Sequence, residues 1–365
     1  MGGSDVEAGR WWPRLLRQSE SLVFDQPLWH LLVAVGVLDL VKNGMWVTPG
    51  LADWASMAKA FPAEPKLAGM SSWILSSPVG PAVAHYLGAT SPSSFEVFSV
   101  VAVVIAVATL SLGLRRAAGS VAQRIGLVAL FASPLSNILM TWIGKEDPFV
   151  ILFASVVFLF DSPLVVLFAA MGLATANPEA GAAVVGGTVL LRGLDPLASR
   201  RALAAAVAGF SAGLLLLAGY GAEMGVPMGG RLSYVEHTGA KTLVTQFLSE
   251  LPTLLFTVFG AWWVAFIAFW QDVIDRRRTA SAVIGFLVVC GAVSAASVDQ
   301  SRIFALVSFP ALLWSVCAAA RLVPAERLRL VTTWIFLVAA VVPRTVVQGG
   351  STYVSHMSWI LQRSF

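Results

Sequence analysis

Long apolar runs separated by short polar breaks set the character of this chain. Apolar stretches lie near residues 28–47, 95–113, 125–143, 148–160, 163–176, 180–191, 202–222, 251–270, 280–298, 303–320 and 330–347. A helix needs about 20 apolar residues to cross a hydrocarbon core, and shorter stretches are tolerated where buried or broken. The lipid interior leaves no water for backbone amides, so the runs predict helices. The expected fold is all-α, a polytopic transmembrane helical bundle of 9–11 spans. The uncertainty in number lies between 148 and 191, where Asp161-Ser162-Pro163 and Asn177-Pro178-Glu179 interrupt the pattern. Those stretches read as three crossings or as one crossing plus a re-entrant hairpin, with the same parity.

Outside the runs, residues 1–27 place Arg10, Arg14 and Arg17 beside Trp11, Trp12, Leu15 and Leu16, an amphipathic segment expected to lie along the cytoplasmic face. Residues 48–94 and 223–249 form two long loops on the opposite, external face. The first mixes Trp54, Met57, Phe61, Trp73, Ile74 and Leu75 with Pro62, Pro65, Pro78 and Pro81, which predicts short interfacial helices. With no fixed-period repeat and no soluble stretch of domain size, residues 1–365 read as a single membrane domain.

Composition agrees with this picture: 57% of positions are hydrophobic and 12% charged, against roughly a quarter charged in soluble domains. The mean hydropathy is +0.79. Net charge is +4, but the basic residues sit in short clusters between apolar runs, so no nucleic-acid partner is expected. Placing the N-terminus inside puts fifteen of the 24 Lys and Arg residues in the cytoplasm, including every compact cluster: 115–124, 192–201, 276–278 and 321–329. That is the distribution the positive-inside rule requires. Cys290 and Cys317 both fall in apolar runs and read as packing residues.

Eleven of the 20 carboxylates, and His85, His237 and His356, fall on the external side, so an outward-facing polar site is expected. Asp39, near the outer end of the first span, shares a helix face with Asn43 and lies one turn from Lys42. Ionisable groups at membrane depth are costly and point to function, although Lys42 could equally snorkel. The turn Gly144-Lys145-Glu146-Asp147-Pro148 packs one cation and two carboxylates where a polar turn would suffice. Lys145 suits a phosphate oxygen, and Asp147 suits a general base or a sugar hydroxyl. Glu179 begins a helix, where the dipole alone would favour an acid. Asp299 and Arg302 could pair with each other, or Arg302 could reach a ligand phosphate. Arg231 and His237, with Tyr234 and Glu236, add polar side chains to the second loop. No Walker A, GxGxxG, HExxH, CxxC or GxSxG pattern stands in a suitable context. No cofactor is therefore expected, and a divalent metal is left open.

These features resemble the GT-C superfamily of integral-membrane glycosyltransferases. The likeness rests on the Asp at the outer end of the first span, the long first external loop, the run Ser76-Ser77-Pro78-Val79-Gly80-Pro81 leading into Ala82 to Leu87, and the acidic 144–148 turn. The resemblance implies sugar transfer from a polyprenyl-phosphate carrier to a glycan or lipid acceptor, at the external face of a bacterial inner (plasma) membrane. It implies a catalytic base at Asp39, with Asp53 as the fallback. Lys145, Arg302 or His85 would hold the departing phosphate, and the interrupted helices at 148–191 would supply a lipid-facing groove. Two other readings stay open: a polysaccharide polymerase or ligase using Arg231 and Arg302 on a lipid pyrophosphate, and a transporter or flippase.

Overall fold

Proline marks where many of the helices begin. It stands at the first or second helical position of seven of them, where its fixed φ suits the helix and its missing N–H is not needed. The computed structural model describes residues 5–45, 47–48, 50–63, 75–195, 198–225, 239–274, 277–297, 299–342, 344–348 and 351–355. Helix α1 (Asp5–Phe24) lies at 115° to α2 (Leu28–Asn43) and packs on the penultimate segment of the chain through Trp12 and Trp334. Trp11 stays exposed, as expected of an interfacial helix.

Two short helices, α3 (Leu51–Ala60) and α4 (Val79–Tyr86), follow in the first loop. They bury Trp54, Met57 and Ala84 in a small apolar cluster with Leu75 and Phe95, apart from the main core. The interfacial residues Trp73 and Ile74 lie outside the described residues.

Helix α5 (Pro92–Ala132) carries non-helical torsions at Ala118 and at Gly119, where φ is 89°. A positive φ is natural for glycine alone, and here the chain doubles back. The Gln123 amide donates to Ser111 Oγ over 2.9 Å, whereas residues twelve apart in a straight helix lie about 18 Å apart. The two arms correspond to the second and third spans expected from the sequence, with the Arg115–Arg124 cluster at their junction. Ser133, extended at ψ 164°, and Pro134 then break the third span before α6 (Pro134–Thr141).

Three short helices follow: α7 (Asp147–Leu159), α8 (Pro163–Ala176) and α9 (Pro178–Gly193). Arg192, at the end of α9, donates to Phe160 O at 3.0 Å and pairs with Asp161 at 2.5 Å, both just past the end of α7. Helices α7 and α9 therefore finish at the same end of the bundle, and α8 returns between them, an arrangement common to both readings of this stretch. Helix α10 (Arg200–Glu223) runs parallel to α8. Gly209 faces the Leu167 carbonyl, and a Cβ on Gly213 would lie 2.7 Å from Met171 O.

The second half comprises α11 (Ala240–Ser249), α12 (Leu251–Phe259), a 3₁₀ turn (Gly260–Trp262), α13 (Trp263–Val273), α14 (Arg277–Ala295), α15 (Gln300–Val307), α16 (Phe309–Leu322) and α17 (Ala325–Val341). The last expected span, 330–347, is shorter than its apolar run. Helix α17 ends at Val341, and an antiparallel hairpin of β1 (Arg344–Gln348) and β2 (Ser351–Ser355) follows. Among the described residues four helical segments can cross a membrane by length and composition, or up to six if the bent pairs α1–α2 and α15–α16 each count as one. The expected nine to eleven crossings are not reached by single long helices, because several traverses are built from helices of eight to sixteen residues broken at proline or serine.

Contacts separate the bundle into two ends. Arg124 donates to Val23 O and Gln26 O at 2.9 and 2.7 Å, Arg329 pairs with Glu20 at 2.7 Å, Arg321 with Asp195 at 3.0 Å and Arg327 with Asp272 at 2.8 Å. These bonds gather the basic clusters at one end. The opposite end holds the 142–148 turn, the starts of α7, α9 and α15, and the ends of α2 and α17.

Candidate functional site

At that opposite end the segment after α2 runs beside the acidic turn. Val47 bridges Ile143, and Thr48 N–H donates to Ile143 O over 2.9 Å. Gly144, at φ 104°, lies against Leu51 and Thr48, a position with no room for a side chain. The turn is thus fixed to the first loop, and its next three residues are directed toward the start of α15.

There Arg302 organises the charges. Its Nε and Nη2 hold the two oxygens of Asp147 at 2.8 and 2.6 Å. Nη2 also donates to Glu146 Oε1 at 3.0 Å, and Nη1 to Asp299 Oδ2 at 3.2 Å. Lys145 Nζ sits 3.6 Å from Asp299 Oδ2 and 4.0 Å from the centre of the Trp142 ring. Burial lowers the Lys145 pKa below its usual value, with the Arg302 charge adding to the effect. The cluster has three carboxylates and two cations, one formal negative charge. Asp147 is fully buried, with side-chain exposure of 1%, while Asp299 keeps 20%. A bidentate guanidinium pair of this kind is strong only when its remaining groups are satisfied, and here Glu146 and Asp299 supply that.

Asp39 lies buried on α2, and Asn43 Nδ2 donates to its Oδ1 over 3.0 Å. Lys42 turns the other way: its ammonium grips the Ala339 and Val342 carbonyls, the latter at 2.7 Å, and so caps the C-terminus of α17. It also lines a cavity of about 170 Å³ with Thr257, Trp263 and Val338. His85 Nδ1 is 2.9 Å from Ala58 O and ties α4 to α3. Glu179 sits in the first turn of α9, whose cap is Asn177, accepting from Ala180 N–H at 3.0 Å. Arg231 and His237 lie outside the described residues. Among the described residues no group of three or more His, Cys, Asp or Glu is spaced to hold a metal.

The structure thus brings Lys145, Glu146, Asp147, Asp299 and Arg302 into one cluster. The alternatives for Arg302 resolve toward pairing, and with Asp147 and Glu146 as well as Asp299. An apolar cleft lies in the second half of the chain. A groove of about 880 Å³ runs between α12–α13 and α14, lined by Leu254, Trp263, Ile267, Leu287 and Phe304 among others. One end reaches Gln271 and Arg327 at the basic end; the other reaches Phe304, half a turn from Arg302 on α15. Sequence reasoning missed Gln300, fully buried with neither amide atom hydrogen-bonded among the described residues. It also missed Trp142 as the platform under Lys145, although their spacing of three would have placed them on one turn.

No known family profile matches the chain, and no curated protein is similar to it in sequence. Among solved structures it is similar to ArnT from Cupriavidus metallidurans, both in the apo state and bound to undecaprenyl phosphate. Each comparison has a TM-score of 0.48 at 14% identity, over 86% and 79% of this chain. The chain spans 60% and 59% of the length of those two structures.

Proposed function

We propose that this protein is a membrane glycosyltransferase that takes a sugar from a polyprenyl-phosphate carrier at the external face and transfers it to a glycan or lipid acceptor. The observation that carries the reading is a juxtaposition on α15. The long apolar groove ends at Phe304, and the buried charge cluster begins at Arg302. Phe304 and Arg302 point to different faces of α15, so an isoprenoid chain lying in the groove would bring its phosphate to the end of the bundle that holds the cluster. The groove wall from Leu251 to Gln271 spans about 30 Å at 1.5 Å per residue, enough for a tail as long as the hydrocarbon core is thick.

Within the cluster the cations divide their work. Arg302 has its donors committed to carboxylates and holds the turn in shape. Lys145, 3.6 Å from Asp299 Oδ2 and over the Trp142 ring, is the cation that meets the phosphate. Asp39 is the base: it takes the proton of the acceptor hydroxyl as that oxygen attacks the anomeric carbon. The bond from anomeric carbon to phosphate oxygen breaks, and its electron pair leaves with the polyprenyl phosphate. Asn43 orients the carboxylate, and the bridge between Val47 and Ile143 keeps the end of α2 beside the turn. Asp147, with both oxygens on Arg302, is the weaker candidate for base.

The test pairs binding with turnover on purified protein in lipid nanodiscs. Undecaprenyl phosphate is the binding probe, and lipid-linked hexoses and pentoses are the donors. Asp39→Asn is expected to cut turnover by roughly 10²- to 10⁴-fold, the usual worth of a general base, and to leave probe binding unchanged. Lys145→Ala is expected to weaken probe binding about tenfold, the loss of one charge-assisted bond. Absence of probe binding, or of turnover with every donor, would overturn the assignment in favour of transport.

A further inference from the structure

Four aromatic rings from three separate elements meet at the outer end of the bundle. Phe61 follows α3, His85 and Tyr86 close α4, and Tyr220 lies in the last turns of α10. Phe61 stacks on Tyr220 at 6.0 Å and 23°, and lies 5.9 Å from His85 and 6.2 Å from Tyr86. His85 and Tyr86 meet edge to face at 5.3 Å. Tyr86 is 79% exposed, so a large ring is presented to the outside on a base of three others.

The polar atoms of this group complete its chemistry. A carbonyl can only accept, so the contact with Ala58 O places the His85 proton on Nδ1 and leaves Nε2 of the neutral ring as an acceptor. The Tyr220 hydroxyl is buried beneath the surface, with no hydrogen-bond partner among the described residues, so the polar groups left to a ligand are those of His85 and the exposed Tyr86. A pyranose fits such a surface, because it has an apolar C–H face to lie on a ring and a rim of hydroxyls that both donate and accept. An acyl chain would leave the Tyr86 hydroxyl and the imidazole unpaired.

Location decides what kind of carbohydrate. Helix α3 begins at Leu51, against Gly144 of the acidic turn, and ends beside Phe61. Ten residues of helix separate the two by about 15 Å. That is too far for the sugar being transferred and within reach of a chain whose end is at the turn. We infer that Phe61, His85, Tyr86 and Tyr220 form a platform that holds an oligosaccharide acceptor behind its reacting end. The inference rests on the proposed transferase reading for its role and on the rings alone for the binding.

The experiment is saturation-transfer NMR on the full chain in nanodiscs, with millimolar linear hexasaccharides of glucose, mannose and N-acetylglucosamine as probes. Transfer to sugar C–H protons is expected for at least one of them, and about threefold to tenfold weaker binding in Tyr86→Ala, the loss of one stacking partner. A Tyr86→Cys chain should react with a membrane-impermeant maleimide, since Cys290 and Cys317 are buried. If no hexasaccharide shows Tyr86-dependent transfer, or if Tyr86→Cys is shielded by lipid, the platform is overturned even where donor turnover persists. Tyr86-dependent binding without turnover on any donor would keep the platform and overturn the transferase.

Discussion

Arg302 is the residue on which the charged turn depends. Removing it would leave the fully buried Asp147 without the guanidinium that holds both its oxygens, and breaking a buried pair from one side costs about 3–5 kcal/mol. Arg302→Ala is therefore expected to lower the thermal midpoint of the detergent-solubilised protein, before any effect on donor affinity is seen. Arg302→Lys should restore little, because an ammonium cannot reproduce the fork. Lys145 behaves differently. Burial holds its pKa below the usual 10.5, so the unfolded chain binds the proton more tightly than the folded one. The sign follows from linkage: this residue's contribution to stability rises with pH between the two values. Donor binding through its charge runs the other way. Affinity for undecaprenyl phosphate should fall as pH rises through the lowered value, and Lys145→Arg should flatten that fall because a guanidinium stays protonated. These residues were legible singly in the sequence as charges a turn does not need. The pairing of Arg302 with Asp299 was legible too, but its pairing with Asp147 was not, since the two lie 155 positions apart.

Among the elements, the parallel pair α8 and α10 shows how sequence sets packing in this bundle. Gly209 and Gly213 are four apart and present one face, which lets α10 approach the α8 backbone at Leu167 and Met171. In a bilayer such small residues provide close van der Waals contact where no hydrophobic drive joins helices. Gly213→Leu would force a side chain against the Met171 carbonyl, and overpacking of this kind typically costs about 1–3 kcal/mol. The expected outcome is a lower thermal midpoint with the 142–148 cluster intact, checked by unfolding curves beside undecaprenyl phosphate binding. Helix starts were readable from proline. Helix lengths were less so, because a break such as Ser133 interrupts an apolar run without changing its composition.

For the molecule as a whole, the two ends differ in charge, and the polarity predicts orientation. Single cysteines at Ala60 and Arg278 are expected to be labelled from opposite sides of the membrane, with Arg278 on the cytoplasmic side; labelling from one side would overturn the topology. The apolar runs alone determined that this chain is an integral, all-α membrane protein, because hydrocarbon tolerates few other solutions for the backbone. Clustered arginines likewise foreshadowed the basic end, now seen in the pairs made by Arg321, Arg327 and Arg329. Tertiary structure alone decided which charges meet. It placed a long groove between α12–α13 and α14 and turned Lys42 to the end of α17. It also joined Phe61 to Tyr220 across more than 150 residues of chain. Burial and periodicity are local in sequence, whereas a groove or an ion cluster is a property of surfaces from distant helices that share one end of a bundle.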